Sequence, residues 1–519
     1  MEQFHALAKK HFFTSLSFFT LGLLFGLYYS INLLGYALDA PLLDPPNVRA
    51  VHISLMLYGF IPLMLSYLPF FLLAQDLGYD TKAMRYVQLY TIVWYFFLLC
   101  MVVSLLMGVR RGLAFYDFHY SLNFILAFAG LFYLLGFYRY TRLYDVKPPW
   151  VKTTFLAILI APVALLILMH PVIGKVEATI QGPHGDNTLG MSLALIPLYY
   201  LIIKYLSKGR FQARWNILWI IPAMFYALSV LHRSFVSALT YNEEWFFQWL
   251  TLLYVPLLYR WYKDAPIRSR AKKYLLISLL AFLFVDIEGN ILFIPSIRWL
   301  FHRNDLVIAH AHVAIGIALF FMVASLYYDI IAPLRSKLFV RLYLTGLLGI
   351  FTVLSISGFV EAGFLHFSID RLWLARSLFG LLVVISLLSF VKKRDSWSPL
   401  AWYNCIGFIS DGIGAVTLFL LGALLYPRLG LSFEGNYMYV VFAFMGATGV
   451  AHLMALRLSQ HQEILTRFTA IARSIVAAVF LSLFLSQRLG IEALGIGLFD
   501  ALYAMIYFVL FYAKELRYV

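Results

Sequence analysis

Cysteine is almost absent from this sequence, and its scarcity excludes several kinds of site. The chain contains two cysteines, Cys100 and Cys405, and each lies within an apolar run. Two cysteines placed in this way cannot build a disulfide framework, a cysteine-rich zinc site or a Cys-x-x-Cys-His heme-attachment motif. The chemistry of the chain must therefore come from other side chains.

Charged residues are also scarce. Asp, Glu, Lys and Arg make up 13% of the 519 residues, whereas 62% are hydrophobic. Such an apolar composition excludes a soluble globular domain. The apolar runs are long and continuous rather than short and alternating, which favours transmembrane helices over strands. The sequence therefore predicts an all-α polytopic membrane protein.

Apolar runs separated by polar breaks predict about sixteen spans of roughly 20 residues each. The first twelve cover about residues 12–391, and about four more follow between 401 and 513. We therefore divide the chain into a transmembrane core, 1–395, and additional C-terminal transmembrane helices, 396–519. Gly412, Gly446 and Gly449 in the second region suit close helix packing, and no cofactor motif is evident there.

Acidic residues are fewer than basic ones, 25 against 40, which gives a net charge of +15. In a membrane protein this excess is better explained by Lys and Arg in cytoplasmic loops than by nucleic-acid binding. Basic clusters indeed recur in alternate loops, for example at 139–152 and 260–273. The positive-inside rule then predicts a multi-pass protein of the cytoplasmic (inner) membrane, in contact with lipid and with both termini in the cytoplasm.

Histidine is the residue type that points to chemistry. His310 and His312 lie near the start of the predicted tenth span. Two helical residues at this spacing point roughly 200° apart, so they cannot share one metal. They can each ligate a flat cofactor, one on either side of the helix, and a helix between two hemes is the simplest object that needs this spacing. Polar residues lining a cavity would show the same spacing, but ionisable residues within a span are usually functional.

Three further histidines, His52, His184 and His232, fall in the same predicted layer, in the outer half of the membrane. Imidazole is the usual axial ligand of heme iron, and two axial histidines give a low-spin electron-transfer heme. His52 is the natural partner for one face of the His310/His312 helix. A second metal on His184 and His232 would stand over the heme on the other face, where two metals can split a diatomic bond.

Four motifs contain these histidines, and a fifth precedes the last of them: Arg49-Ala-Val-His52, Gly182-Pro-His184, Tyr226-x5-His232, Ile287-Glu288-Gly289 and His302-x2-Asp305-x4-His310-Ala-His312. They resemble the catalytic subunit of heme-copper oxidases, on the branch of C-type (cbb-class) cytochrome oxidases and nitric oxide reductases. Ser355-x-Ser-Gly358 and residues 371–380 resemble the last two helices of the family core. The similarity covers about residues 12–391, which implies a twelve-helix heme-copper oxidase-like core followed by the C-terminal helices.

This resemblance implies a heme ligand set and a second-metal site. His52 and His312 would ligate the low-spin heme, and His310 would be the proximal ligand of the high-spin heme. His184 and His232 would bind the second metal, which is copper in the oxidases and non-heme iron in the nitric oxide reductases.

The resemblance also implies supporting roles. Tyr226 would occupy the position of the oxidase tyrosine that supplies a proton and an electron, and Glu288 would lie near the binuclear site. His302 and Asp305 would hydrogen-bond the heme propionates. Asp117 falls where the family has a carboxylate near a calcium ion.

Two departures from the family pattern concern the second metal. Arg233 stands where the family has a second adjacent histidine, and a guanidinium stays protonated and cannot ligate a metal. Thr188 stands where the nitric oxide reductases have a glutamate. Tyr226, His184 and His232 also have ordinary structural explanations, as an interface aromatic, a solvated loop residue and a partner of a backbone carbonyl.

The sequence thus predicts an oxidoreductase, a respiratory subunit that reduces dioxygen or nitric oxide at a high-spin heme fed by a low-spin heme. A c-type cytochrome subunit or quinol would donate the electrons. One alternative is a non-catalytic diheme protein that lost the second metal and transfers electrons or binds or senses a gas. Another alternative is an enzyme similar to nitric oxide dismutases. A third is a transporter without heme, but a transporter would leave the histidine layer unexplained.

Overall fold

The computed structural model describes most of the chain. The described residues are 1–35, 43–112, 116–168, 185–213, 217–237, 239–301, 304–390, 398–428, 433, 435–486 and 488–509. In this part of the chain the regular secondary structure is helical throughout. The helices fall into two compact units, one containing the described residues up to Phe390 and the other those from Ser398 onward.

The first unit is built from helices α1 to α17. Their bounds are α1 Glu2–Asn32, α2 Pro45–Tyr58, α3 Ile61–Ser66, α4 Leu68–Leu77, α5 Thr81–Leu106, α6 Leu122–Thr141, α7 Pro149–Leu168, α8 Gly185–Leu206, α9 Ile217–Phe235, α10 Tyr241–Trp249, α11 Val255–Asp264, α12 Ala271–Leu292, α13 Arg298–Phe301, α14 Asp305–Ala311, α15 Phe320–Tyr327, α16 Lys337–Glu361 and α17 Ile369–Ser386. A π-helical segment, His312–Leu319, joins α14 to α15.

The second unit is built from helices α18 to α22. Their bounds are α18 Pro399–Gly407, α19 Gly414–Arg428, α20 Gly435–Arg457, α21 Gln462–Leu485 and α22 Ile491–Tyr507. A second π-helical segment, Phe408–Ile413, joins α18 to α19.

Many of these helices are long and apolar enough to cross a bilayer. Among the described residues ten helical stretches meet that length and composition, and four shorter apolar helices accompany them: Pro149–Val163, Leu195–Leu206, Ile220–Ser229 and Ala493–Tyr507. The chain is therefore an all-α, multi-pass membrane protein, as its composition predicts. The predicted span at 245–262 is broken, because α10, a 3-10 turn at Leu250–Tyr254 and α11 share that stretch.

Proline explains why the second span is segmented. The stretch Pro45–Leu77 is a single apolar run, yet it folds as α2, α3 and α4. Pro62 and Pro69 lie in the first turns of α3 and α4. Proline has no N–H to donate to the preceding turn, and its ring crowds that turn, so proline inside an apolar run interrupts the helix. Proline is tolerated in the first turn of a helix, so the next helix begins there.

Two spans form the centre of the first unit. In the most apolar 18 residues of Pro45–Leu77, 78% are buried inside the protein. The corresponding share in Asp305–Tyr327 is 50%, and these are the two highest values among the ten spans. The π-helical segment in the second of these leaves carbonyl groups free for side-chain donors. Tyr343 donates to the Gly316 carbonyl at 3.0 Å, and Ser278 donates to the Ala318 carbonyl at 2.6 Å. π-Helical turns often mark functional sites, and this one begins at His312.

Candidate functional site

His52 of α2 and His312 face each other across the centre of the first unit. Their ring centres are 6.5 Å apart and their planes differ by 28°. Both rings are only partly buried although they belong to the two most buried spans, so they border accessible space within the bundle. The arrangement brings together two imidazoles that are far apart in the sequence.

Each of these two rings is held by a backbone carbonyl. His52 Nδ1 lies 2.8 Å from the Gly22 carbonyl oxygen, and His312 Nδ1 lies 2.8 Å from the Ile308 carbonyl oxygen. A carbonyl oxygen only accepts, so Nδ1 carries the proton in both rings. Nε2 of each ring then has a lone pair, and it makes no hydrogen bond to another described residue. In this tautomer Nε2 is the nitrogen that can ligate a metal.

Glycines of α1 make room for the ring of His52. A Cβ atom on Gly26 would lie 2.5 Å from His52 Cε1 and Nδ1, and one on Gly22 would lie 2.4 Å from Met56 Cε. The two glycines are four residues apart, so they share one face of α1 and let α2 approach closely. The Gly-x3-Gly spacing is a sequence signal for this contact that our histidine-based reasoning did not use.

His310 has a different partner on a different helix. Its Nδ1 lies 3.2 Å from Oε2 of Glu288 on α12, and the His310 and Glu288 side chains are 28% and 14% exposed. His310 and His312 therefore contact α12 and α2 respectively, as two residues at this spacing on one helix would. The Glu288 carboxylate accepts a hydrogen bond from Nδ1–H of His310, so Nε2 of His310 has a lone pair.

Asp305, at the start of α14, accepts hydrogen bonds from two side chains. Its Oδ2 accepts from Ser357 Oγ at 2.7 Å and from Trp373 Nε1 at 2.9 Å, while its backbone N–H donates to Glu361 Oε2 at 2.8 Å. These bonds fix the beginning of the histidine-bearing helix against α16 and α17. Trp373 also lies under the Arg376 guanidinium, 5.5 Å from the ring centre.

His232 of α9 lines a cleft of about 710 Å³ between α9 and α10. Its Nδ1 is buried and has no hydrogen-bond partner in the described part of the chain. Glu243 lies on the same cleft, and two hydrogen bonds from the Thr240 N–H and hydroxyl hold the pKa of this carboxyl below its usual range, with a smaller contribution from His232. Glu243 therefore already serves as the cap of α10.

Asp117 lies in the segment that joins α5 to α6, and Tyr226 of α9 neighbours Tyr116 of the same segment. Burial raises the pKa of the Tyr116 phenol, and the neighbouring Tyr226 adds to that effect. Asp117 Oδ1 accepts from the Gly112 N–H at 2.7 Å, and the Asp117 carbonyl accepts from the Arg111 N–H at 2.8 Å. Asp117 thus closes the loop on itself, which is a structural use of its carboxylate.

Some predicted residues lie outside the described part of the chain. These are His184, His302 and the side chain of Arg233, of which only the backbone within α9 is described. Among the described residues, no group of three or more His, Cys, Asp or Glu side chains lies close enough together to hold a metal ion. Of the predicted site residues, the structure brings together His52 with His312, and His310 with Glu288.

Comparison with known proteins adds no family assignment. A scan against protein-family models finds no match for this chain, and a search of curated protein sequences finds none either. What the site can do is therefore argued from its own geometry.

Proposed function

We propose that this chain is the catalytic subunit of a membrane respiratory reductase that resembles the heme-copper oxidases. His52 and His312 ligate a low-spin heme, and His310 ligates a high-spin heme at which dioxygen or nitric oxide is reduced. A c-type cytochrome subunit or quinol in the cytoplasmic membrane supplies the electrons.

The opposed pair of imidazoles carries this proposal. A metal–imidazole bond is about 2 Å long and a ring centre lies about 1 Å beyond the ligating nitrogen, so two axial imidazoles place their centres about 6 Å apart. The His52 and His312 rings are 6.5 Å apart and nearly parallel. Their Nδ1 atoms are both engaged by carbonyl oxygens, so Nε2 is the available donor in each. The donor set, its spacing and its tautomers all fit an iron bound between them.

His310 supports the second half of the proposal. A high-spin heme bound to His310 would supply a redox-active iron with an open position for a diatomic gas. The chain's own contribution is the Glu288 carboxylate, which orients the imidazole and makes it a more basic ligand. Asp305, Ser357 and Trp373 fix the start of the helix on which both histidines lie.

The second metal is the part of this proposal that departs most from the standard oxidase. His184 and His232 are the residues that would hold copper or non-heme iron, next to Arg233. A fixed positive charge beside a divalent cation opposes its binding. We therefore propose that the gas is reduced with or without this metal. Calcium at Asp117 is a separate proposal.

The test is the heme and metal content of the purified protein, with optical spectra of the reduced and CO-bound forms. We expect two hemes, one of which binds CO. His312→Ala should remove the low-spin signal and His310→Ala the CO-binding heme, each with the other retained. His366→Ala changes a histidine that is exposed in the loop before α17, so both hemes should remain.

Each other outcome has a distinct meaning. Absence of heme from correctly folded wild-type protein would overturn the assignment built on His52, His310 and His312. Two hemes, no further metal and no turnover of dioxygen or nitric oxide would replace the reductase by a diheme electron-transfer or gas-binding protein. Two hemes with copper or iron would show that Arg233 does not abolish the second-metal site.

A further inference from the structure

The second unit contains a buried cluster of charged side chains from three helical segments. Arg473 of α21 donates one N–H to Asp411 Oδ1 in the π-helical segment and another to Asp500 Oδ1 on α22. The Arg473, Asp411 and Asp500 side chains are 3%, 7% and 13% exposed. Charged groups inside a membrane-spanning unit are costly and are retained mainly where they have a function.

The charges in this cluster do not balance. One guanidinium faces two carboxylates, so full ionisation leaves one excess negative charge in the interior. An uncompensated charge is costly to bury, and binding a proton is the simplest way to neutralise it. A purely structural ion pair would need only one of the two aspartates.

A histidine beside the cluster is poised to accept that proton. His452 of α20 is completely buried, and its Nδ1 lies 2.9 Å from Asn404 Oδ1. The Asn404 amide nitrogen donates to the Leu400 carbonyl and to Thr466 Oγ1, so its oxygen is the atom that faces the imidazole. Nδ1 of His452 must then carry a proton, which leaves a lone pair on Nε2.

That lone pair is aimed at the cluster. Nε2 of His452 has no hydrogen-bond partner in the described chain and lies 3.9 Å from Asp411 Oδ2. An imidazole nitrogen that carries no proton thus faces a carboxylate oxygen, and the two side chains are 0% and 7% exposed. Nε2 stays without a hydrogen-bond partner in the described chain unless a proton is present on one of the two groups.

We propose that the C-terminal unit binds one exchangeable proton, shared between His452 Nε2 and Asp411 Oδ2, as a proton-binding site in the interior of the membrane. With the proton on Asp411, its hydroxyl faces Nε2, and the two atoms would have to approach from 3.9 Å to complete a hydrogen bond. With the proton on His452, the imidazolium pairs with the carboxylate. In both forms the cluster is neutral overall, and the proton belongs to the pair rather than to either residue.

Local sequence features place the two groups together. Asp411 lies in the π-helical segment Phe408–Ile413, which redirects its side chain toward α20 and α21. A Cβ on Gly407 would lie 2.4 Å from His452 Nε2, and a Cβ on Gly449 would lie 2.3 Å from the Gly412 backbone. Glycine at these positions therefore permits the close approach of α18, the π-helical segment and α20.

The titratable and charged groups around His452 come from every helix packed against it. They are Asp411, Arg473, Asp500, Tyr403, Tyr503 and Cys405. The Arg473 guanidinium lies over the Tyr503 ring, 4.2 Å from the ring centre. The proposed site is independent of the histidines of the first unit and does not rest on the reductase proposal.

The test is infrared difference spectroscopy of the full-length protein in lipid, over a pH series that spans the ordinary ranges of carboxyl and imidazole groups. We expect a carboxyl C=O or imidazole band that changes with pH and disappears in both Asp411→Asn and His452→Gln. Asp264→Asn changes an exposed carboxylate outside the cluster and should leave this band unchanged. Asp500→Asn removes the excess negative charge, so the same band should titrate at lower pH.

Three results would overturn the proposal. One is a wild-type spectrum in which no buried group responds to pH, because the cluster would then be a permanent ion pair. This outcome can be observed without any variant. Another is a pH-dependent band that survives in folded His452→Gln or folded Asp411→Asn. The third is a band that responds to replacement of sodium by a bulky organic cation at constant pH, which identifies a metal-cation site instead.

Discussion

At the residue scale, the position of the His52 imidazole depends on a residue that has no side chain, Gly26. Gly26 contacts the His52 ring so closely that even a methyl group would overlap it. The Nδ1 edge of the ring is therefore positioned by close packing against Gly26 and by the hydrogen bond to the Gly22 carbonyl, both on α1. The relative position of the two imidazoles therefore depends on α1 as well as on the two helical segments that carry the histidines.

Replacement of Gly26 by alanine tests this packing. The new Cβ would lie 2.5 Å from the ring of His52, and overpacking of this kind costs about 1–3 kcal/mol. We expect a lower thermal midpoint in a fluorescence-based unfolding assay. Gly380→Ala is the matched control, because a Cβ there meets its nearest atom at an ordinary 3.7 Å. Equal behaviour of the two variants would refute the packing argument.

Glu288 gives a second prediction at this scale, one that depends on the proposed heme. Glu288→Leu removes the acceptor for His310 Nδ1, whereas Glu288→Gln keeps an acceptor and loses the charge. Loss of such a supporting group costs about 10–100-fold in metal affinity. We expect the leucine variant to lose the CO-binding heme during purification and the glutamine variant to lose less. Equal retention in both would show that Glu288 does not position His310.

At the element scale, prolines and caps decide where the helices begin. The apolar content of residues 245–262 predicts one span, but Tyr241–Asp264 forms two short helices and a 3-10 turn. Pro256 lies in the first turn of α11, and Thr240 and Glu243 form a reciprocal cap at the start of α10. Such a cap satisfies backbone N–H groups that the helix itself leaves unpaired.

Thr240→Ala tests that cap. Loss of a capping hydroxyl costs typically about 1 kcal/mol, and we expect a lower thermal midpoint at neutral pH. Because the pKa of Glu243 is lowered by the Thr240 hydrogen bonds, the stabilisation is present above the usual glutamate pKa. It is lost as the pH falls through the lowered one. Thr14→Ala, at an exposed position inside α1, should change the midpoint little; an equal loss would show that the cap is not the cause.

At the scale of the whole molecule, the distribution of basic residues predicts the orientation in the membrane. The loop after α6 is rich in Lys and Arg, whereas the loop after α12 is poorer. The first should therefore lie in the cytoplasm and the second outside. The measurement is labelling by an impermeant maleimide, in intact cells and in inverted vesicles, of single cysteines placed in a background without Cys100 and Cys405.

The two positions are Asp145→Cys and Trp299→Cys, both exposed. We expect the label to reach position 299 in intact cells and position 145 only in inverted vesicles. Labelling of both from the same side would mean that the number of crossings between them is even, which contradicts the predicted topology.

Much of the fold follows from the sequence because the bilayer imposes it. A helix must satisfy its own backbone groups in lipid, so long apolar runs predict helices at Thr81–Leu106 or Lys337–Glu361 with little ambiguity. The opposite directions of His310 and His312 follow from helical geometry alone. Breaks at Pro62 and Pro69 are less predictable, because tertiary packing decides whether proline bends a helix or ends it.

The sequence by itself determined that this is a polytopic helical membrane protein, because composition and the length of apolar runs are local properties. Only the tertiary structure decided that His52 faces His312, that Glu288 holds His310, and that His452 faces Asp411. Each of these pairs joins helices distant in the chain. Which helices touch is set by the fit of their surfaces, with glycines such as Gly26 and Gly407 at the closest contacts, and that fit is not encoded in any one segment.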